Sequence, residues 1–87
     1  MNKKIVLFKS PTCGPCKLFA PVCKSVAEQI NAEYVEIDVS TDEGVKAAEA
    51  NGITHSGTAW YEEDGKIKIK WERPAPANKL IADIESL

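Results

Sequence analysis

Ile5-Val6-Leu7-Phe8 is an unbroken apolar run held between lysines near the start of the chain. A strand with one wet face alternates apolar and polar residues, whereas a continuous run marks a short strand with both faces covered. A strand of that kind needs a layer of structure on each side, and helices are the usual cover. The chain has 87 residues, the length of one small domain, so residues 1–87 are read as a single unit. A chain this small buries only about 60–65% of the surface its unfolded form exposes, which leaves a thin core.

The rest of the chain supplies the covering layers. Ser10-Pro11-Thr12 ends the first strand. Beyond Cys13, residues Phe19, Val22, Cys23, Val26, Ala27 and Ile30 recur at steps of three and four and form one helical stripe. Pro15 suits the first turn of that helix, and Pro21 inside it should produce a kink. Glu33 to Val39 alternates as a second strand. Ser40-Thr41-Asp42-Glu43 matches a capping box, and the helix it opens runs to about Ala50, where Asn51-Gly52 supplies a left-handed stop. Thr58 to Glu62 reads as a third strand, with Trp60 and Tyr61 in the core, and Asp64-Gly65 signals a hairpin. Lys66 to Trp71 alternates with isoleucines and tryptophan inward and lysines outward, as a solvated edge strand does. After the rigid Pro74 and Pro76, residues Leu80, Ile81, Ile84 and Leu87 make a last amphipathic helix. The order β-α-β-α-β-β-α implies a three-layer α/β/α domain on a mixed four-stranded sheet, its first two strands parallel through a right-handed crossover.

Composition removes several function classes. The net charge of −2 leaves no basic footprint for nucleic acid or an anionic membrane. The N-terminal apolar run is too short for a signal-peptide core, and no stretch approaches the ~20 apolar residues of a membrane span. The expectation is a cytoplasmic, monomeric protein in a reducing compartment, where paired cysteines are more often catalytic or metal-binding than structural. There are 3 cysteines, too few for a disulfide scaffold.

Cys13-Gly14-Pro15-Cys16 sits at a strand-to-helix junction. Residues three apart on a helix are neighbours, within the Cα separation of about 4.4–6.8 Å that a disulfide tolerates. Cys13 falls at the helix N-terminus, where orphan amides and the macrodipole favour an anion and can lower a thiol pKa from ~8.5 to the range ~3.5–7.5. Cys16, one turn deeper, is the shielded partner, and Lys17 adds a nearby positive charge. Other readings must be set beside this one. A zinc site of Cys13, Cys16, Cys23 and His55 would need sulfurs on Cys16 and Cys23, ~10.5 Å apart along one helix, to approach within about 4 Å. A static disulfide is weakened by the short loop and the reducing compartment. Cys23 lies on the apolar stripe and reads as a buried thiol.

These residues resemble the thioredoxin family: Cys13-Gly14-Pro15-Cys16-Lys17 after a buried strand, Pro21 in the following helix, and strands and helices in this order. The resemblance covers nearly the whole chain, without the family's usual first strand and helix. It implies a thioredoxin fold and a thiol–disulfide oxidoreductase, a protein disulfide reductase serving electron transport and cell redox homeostasis. Cys13 would attack a substrate disulfide and Cys16 would resolve the mixed disulfide, with no cofactor beyond the cysteine pair. Partners would be disulfide-containing proteins and a thioredoxin reductase or glutathione for recycling. Thr12, Gly14, Pro15, Lys17, His55, Ser56, Gly57 and Thr58 would form the surrounding groove.

Departures from the family pattern bear on the site. Gly57 stands where the family has its cis-proline, so the Ser56–Gly57 bond is expected to be trans. Restoring proline there should preorganise the loop and raise redox turnover. Thr12 replaces a tryptophan, Leu7 stands in place of a buried aspartate, and Tyr34 stands near the place of its lysine partner, which leaves the proton acceptor for Cys16 unassigned. Glutaredoxins also lack that aspartate, but Trp71-Glu72-Arg73-Pro74 lacks their glycine pair. Loss of the proline motivates an alternative, zinc or iron–sulfur binding in a dimer with Cys13, alone or together with Cys16, as ligand, and a further one, a redox-weak interaction module. His55 is placed near the pair, where its protonated form would stabilise a Cys13 thiolate. The Lys66, Lys68 and Lys70 row reads as an edge-strand solubility device.

Overall fold

The computed structural model describes residues 2–53 and 56–87. Its elements are β1 (Lys3–Lys9), α1 (Gly14–Gln29), β2 (Glu33–Asp38), α2 (Asp42–Ala50), β3 (Thr58–Glu63), β4 (Lys66–Trp71) and α3 (Ala77–Glu85). The sheet order is β2-β1-β3-β4. β1 pairs with β2 in parallel and with β3 antiparallel, and β4 closes the sheet antiparallel to β3. Thus the expected mixed sheet forms, with β1 at its interior.

The doubly covered strand has a physical basis in two cores. Ile5 and Leu7 of β1 pack with Phe19, Cys23, Val26 and Ala27 of α1 and Leu80 of α3. Val6 and Phe8 point the other way and pack with Trp60 and with Ala48 of α2. Residues 5–8 are at most 4% exposed. Burying each such side chain contributes about 1.5–3 kcal/mol, so this one strand organises both layers. Phe8 and Trp60 meet in a tilted ring pair with centroids 4.9 Å apart. Trp60 and Tyr61 are both buried and satisfy their polar tips on Glu62 and Glu63. None of the described helices is long and apolar enough to cross a membrane.

Three sequence expectations change in detail. The N-cap of α2 is Thr41 and not Ser40: the Thr41 hydroxyl accepts from the Gly44 amide at 3.0 Å, while Ser40 donates to Asp38 at 2.6 Å. The Asp38 carboxylate captures the serine hydroxyl, and the helix starts one residue later. In β4, Ile67 is not inward. The ladder pairs Tyr61 with Ile69 and Glu62 with Ile67, so Lys68 is an extra residue in a bulge. A one-residue slip reverses side-chain parity, which keeps Ile69 and Trp71 at the α1 and α3 face but leaves Ile67 42% exposed. Leu87 lies beyond the end of α3 and is 63% exposed. The other signals hold: Asp64 and Gly65 both take positive φ, as a primed hairpin turn requires, and Gly52 takes φ +70° after α2. α1 continues unbroken through Pro21.

Gly44 carries a constraint that spacing does not reveal. A Cβ at this position would overlap the Asp38 carbonyl, because α2 folds back tightly over the end of β2. Gly44→Ala should therefore lower unfolding stability by about 2 kcal/mol or more, despite alanine's better helix propensity. Urea melts of the variant beside Ala47→Gly, a substitution in the same helix without that overlap, provide the check. Equal stability of wild type and Gly44→Ala would show that the close approach is not needed.

Candidate functional site

The C-terminal end of β1 delivers the chain directly into the N-terminus of α1. Cys13 is the N-cap residue of that helix, with extended backbone angles, and its amide donates to the Ser10 carbonyl at 3.1 Å. Gly14 and Pro15 fill the first two helical positions, where proline's missing N–H costs nothing. The Cys16 amide donates to the Cys13 sulfur at 3.2 Å, so sulfur takes the role that a serine oxygen plays at most N-caps. The two sulfurs are bonded to each other across a Cα separation of 5.3 Å. Cys13 is 9% exposed and Cys16 is 3% exposed. The outer sulfur therefore presents the edge that a reactant meets, and the inner one is shielded by the helix. When the bond is reduced, negative charge on Cys13 keeps the same amide donor and the positive end of the helix.

Pro11, Thr12, Gly14, Pro15 and Lys17 are exposed and form the rim on one side of the pair. Ser10 and Thr12 hydroxyls lie 3.4 Å apart. Ser56, Gly57 and Thr58 approach from the start of β3, where Thr58 pairs with Phe8. His55, expected beside the pair, and Thr54 lie outside the described residues.

Gly57 comes close to the inner cysteine. Its peptide bond with Ser56 is trans, its φ is +89°, and its amide donates to the Phe8 carbonyl at 2.8 Å. An added Cβ would lie 4.0 Å from the Cys16 sulfur, an ordinary contact. The glycine is thus required by backbone angle and not by lack of room. The expectation that proline here would preorganise the loop must be revised. Proline cannot reach a positive φ and has no amide for Phe8. Gly57→Ala should cost about 1–2 kcal/mol for the left-handed backbone, and Gly57→Pro should cost more and reduce turnover. Thermal or urea unfolding of both variants tests this, and a proline variant as stable as wild type would refute it.

No carboxylate stands behind the disulfide on β1, because Leu7 is fully buried in the α1 core. Charge is found two residues further on, on the same face of β1. Lys9 reaches Glu36 of β2 at 3.0 Å, and the Tyr34 hydroxyl donates to the same carboxylate at 2.6 Å. The Tyr34 hydrogen bond and then the Lys9 contact hold the Glu36 carboxyl below its ordinary range. Sequence reading singled out neither Lys9 nor Glu36. Parity could have found them, since Lys9 continues the Ile5 and Leu7 face, and Glu36 the Tyr34 face.

Cys23 is fully buried and free. Burial, with a smaller contribution from Glu36, pushes its thiol up to about 12. Among the described residues no group of three or more His, Cys, Asp or Glu is placed to hold a metal ion. Because the folded pKa of Cys23 exceeds the unfolded value of about 8.5, folding favours the neutral thiol. Its contribution is complete below that unfolded value and is lost as pH rises toward about 12. Stability should decline over this alkaline window, and Cys23→Ala should flatten the decline. Denaturant titrations at stepped pH measure it, and identical slopes for both proteins would contradict the assignment.

A mixed four-stranded sheet with a disulfide-bonded cysteine pair at the first helix N-terminus is the arrangement of the thioredoxin fold. Residues 1–86 match the family Thioredoxin, and the chain belongs to that family. It is 36% identical over 62 residues to thioredoxin 1 of Synechococcus elongatus, covering 71% of this chain and 58% of that protein. It is 43% identical over 51 residues to NADPH-dependent thioredoxin reductase 3 of Arabidopsis thaliana, covering 56% of this chain and 9% of that protein. Fasciola hepatica thioredoxin superposes with a TM-score of 0.78 at 29% identity, covering 98% of this chain and 80% of that structure. The chain spans less than two thirds of the length of either relative from the sequence comparison.

Proposed function

We propose that this protein is a thiol–disulfide oxidoreductase that reduces protein disulfides through the Cys13/Cys16 couple. The observation that carries the reading is the Cys13 sulfur at the α1 N-cap, hydrogen-bonded by the Cys16 amide and bonded to its sulfur. In the reduced protein the Cys13 thiolate attacks one sulfur of a substrate disulfide. The substrate S–S bond breaks, and its other sulfur leaves as a thiolate. Cys16 then attacks the Cys13 sulfur, the mixed disulfide breaks, and the second substrate sulfur is released. Two electrons pass to substrate, and the Cys13–Cys16 bond is regained. The substrate class is an exposed protein disulfide that can approach the outer sulfur edge-on, across the exposed rim of Thr12, Gly14 and Pro15. A thioredoxin reductase or glutathione returns the electrons in the reducing cytoplasm, and the protein works as a monomer, since both sulfurs belong to one chain. The family membership and the adjacent cysteine pair favour this chemistry over metal or cluster binding.

An insulin-reduction assay tests it. Wild type should accelerate precipitation of the reduced chains, and Cys13→Ser should fall to background. Cys16→Ser should instead accumulate a mixed disulfide, visible by mass spectrometry. Wild-type activity no greater than that of Cys13→Ser would overturn the proposal. A reduction potential of about −270 mV agrees with a reductase, and one of about −120 mV would make the protein an oxidant instead.

A further inference from the structure

Closing the cycle requires Cys16 to become a thiolate, and its surroundings oppose this. The sulfur is almost fully shielded, and burial disfavours the charged form. Its nearest described backbone partner is the Phe8 carbonyl at 3.9 Å, an acceptor that suits S–H and not S−. Its own amide is committed to Cys13. Something else must favour the anion.

Beside Cys16 opens a cleft of about 320 Å³ lined by Lys9, Ser10, Pro11, Cys16, Lys17 and Ala20. Lys9 enters it from the end of β1, and its ammonium is held 3.0 Å from the Glu36 carboxylate. Glu36 is itself braced by Tyr34 at 2.6 Å. Tyr34 and Lys9 hold that carboxyl ionised, so Glu36 is too weak a base to take a thiol proton at neutral pH. What it can do is keep the lysine in place. Lys17 also lines the cleft, from the exposed face of α1. Asp38, opposite Lys9 in the ladder, directs its carboxylate to Ser40. Lys24 acts on Glu36 from α1, and Cys23 stays neutral within the core.

We propose that Lys9, anchored by Glu36, is a positioning residue that sets positive charge across this cleft from Cys16 and so favours the resolving thiolate. The inference rests on the dithiol reading above. The proton leaves Cys16 through water in the cleft. The freed electron pair forms the bond to the Cys13 sulfur, the Cys13–substrate bond breaks, and its pair departs on the substrate sulfur, which is protonated from solvent. Lys9 itself exchanges no proton.

The test loads Cys13 of the full chain with thionitrobenzoate and follows release of the coloured thiolate by Cys16 against pH. In Lys9→Met the release rate near neutral pH should fall about threefold or more, with the pH midpoint moved upward. Lys9→Arg should keep the wild-type midpoint. Added salt should slow wild type more than Lys9→Met, in which Lys17 is the lysine left at the cleft. If Lys9→Met does not fold, Lys9→Gln removes the same charge on a shorter polar side chain. An unchanged midpoint in the charge-removing variant, or a Lys9→Arg protein that behaves like Lys9→Met, would overturn the proposal. Wild type that never releases thionitrobenzoate would instead refute the dithiol reading itself, an outcome distinct from normal wild-type release that is indifferent to Lys9.

Discussion

Four consecutive apolar residues of β1 are buried from both sides, and everything else in the molecule is arranged around them. Ile5 and Leu7 anchor the layer of α1 and α3, while Val6 and Phe8 anchor the layer of α2 and Trp60. The strand also forms both central ladders, parallel to β2 and antiparallel to β3. Its C-terminal end is where the functional elements converge. There the Phe8 carbonyl receives the Gly57 amide at 2.8 Å and lies 3.9 Å from the Cys16 sulfur. A thin core thus positions a reactive pair by joining it to its most buried segment.

That arrangement divides the labour between two chemically identical side chains. Cys13 sits where the helix begins, with an amide donor and the helix dipole aimed at its sulfur. Cys16, three residues on, faces an acceptor and the core. The difference arises from position along one helical turn, with no change in residue type. In the proposed reaction it suits the outer sulfur to attack and leaves the inner one needing help to ionise. The Lys9–Glu36–Tyr34 chain stands on the same face of the sheet as Cys23 and α1, where Leu7 offers no charge.

Much of the fold was legible in residue patterns because its signals are local. The unbroken β1 run, the stripe from Phe19 to Ile30, the Asp64-Gly65 turn and the Asn51-Gly52 stop each depend on near neighbours alone. So does the cysteine pair, whose spacing and position at a strand-to-helix junction carry their own chemical logic. The errors lie where a competing contact or a shift of register overrode the expected pattern. Asp38 drew the Ser40 hydroxyl away from the helix, passing the cap to Thr41. The bulge at Lys68 turned Ile67 outward although the alternation of Lys66 to Trp71 is regular.

Pattern and spacing therefore established a two-sided strand, the order of elements and the neighbouring cysteines at the start of α1, since hydrophobic periodicity and helix-end chemistry act over a few residues. Tertiary structure decided the rest. It set the positive φ and trans bond of Gly57, the close approach that excludes a side chain at Gly44, and the pairing of Lys9 with Glu36. Each of these depends on how one element lies against another, from the tight return of α2 over β2 to strands far apart in sequence. A backbone angle, a forbidden Cβ and an ion pair across strands exist only once the sheet has its register.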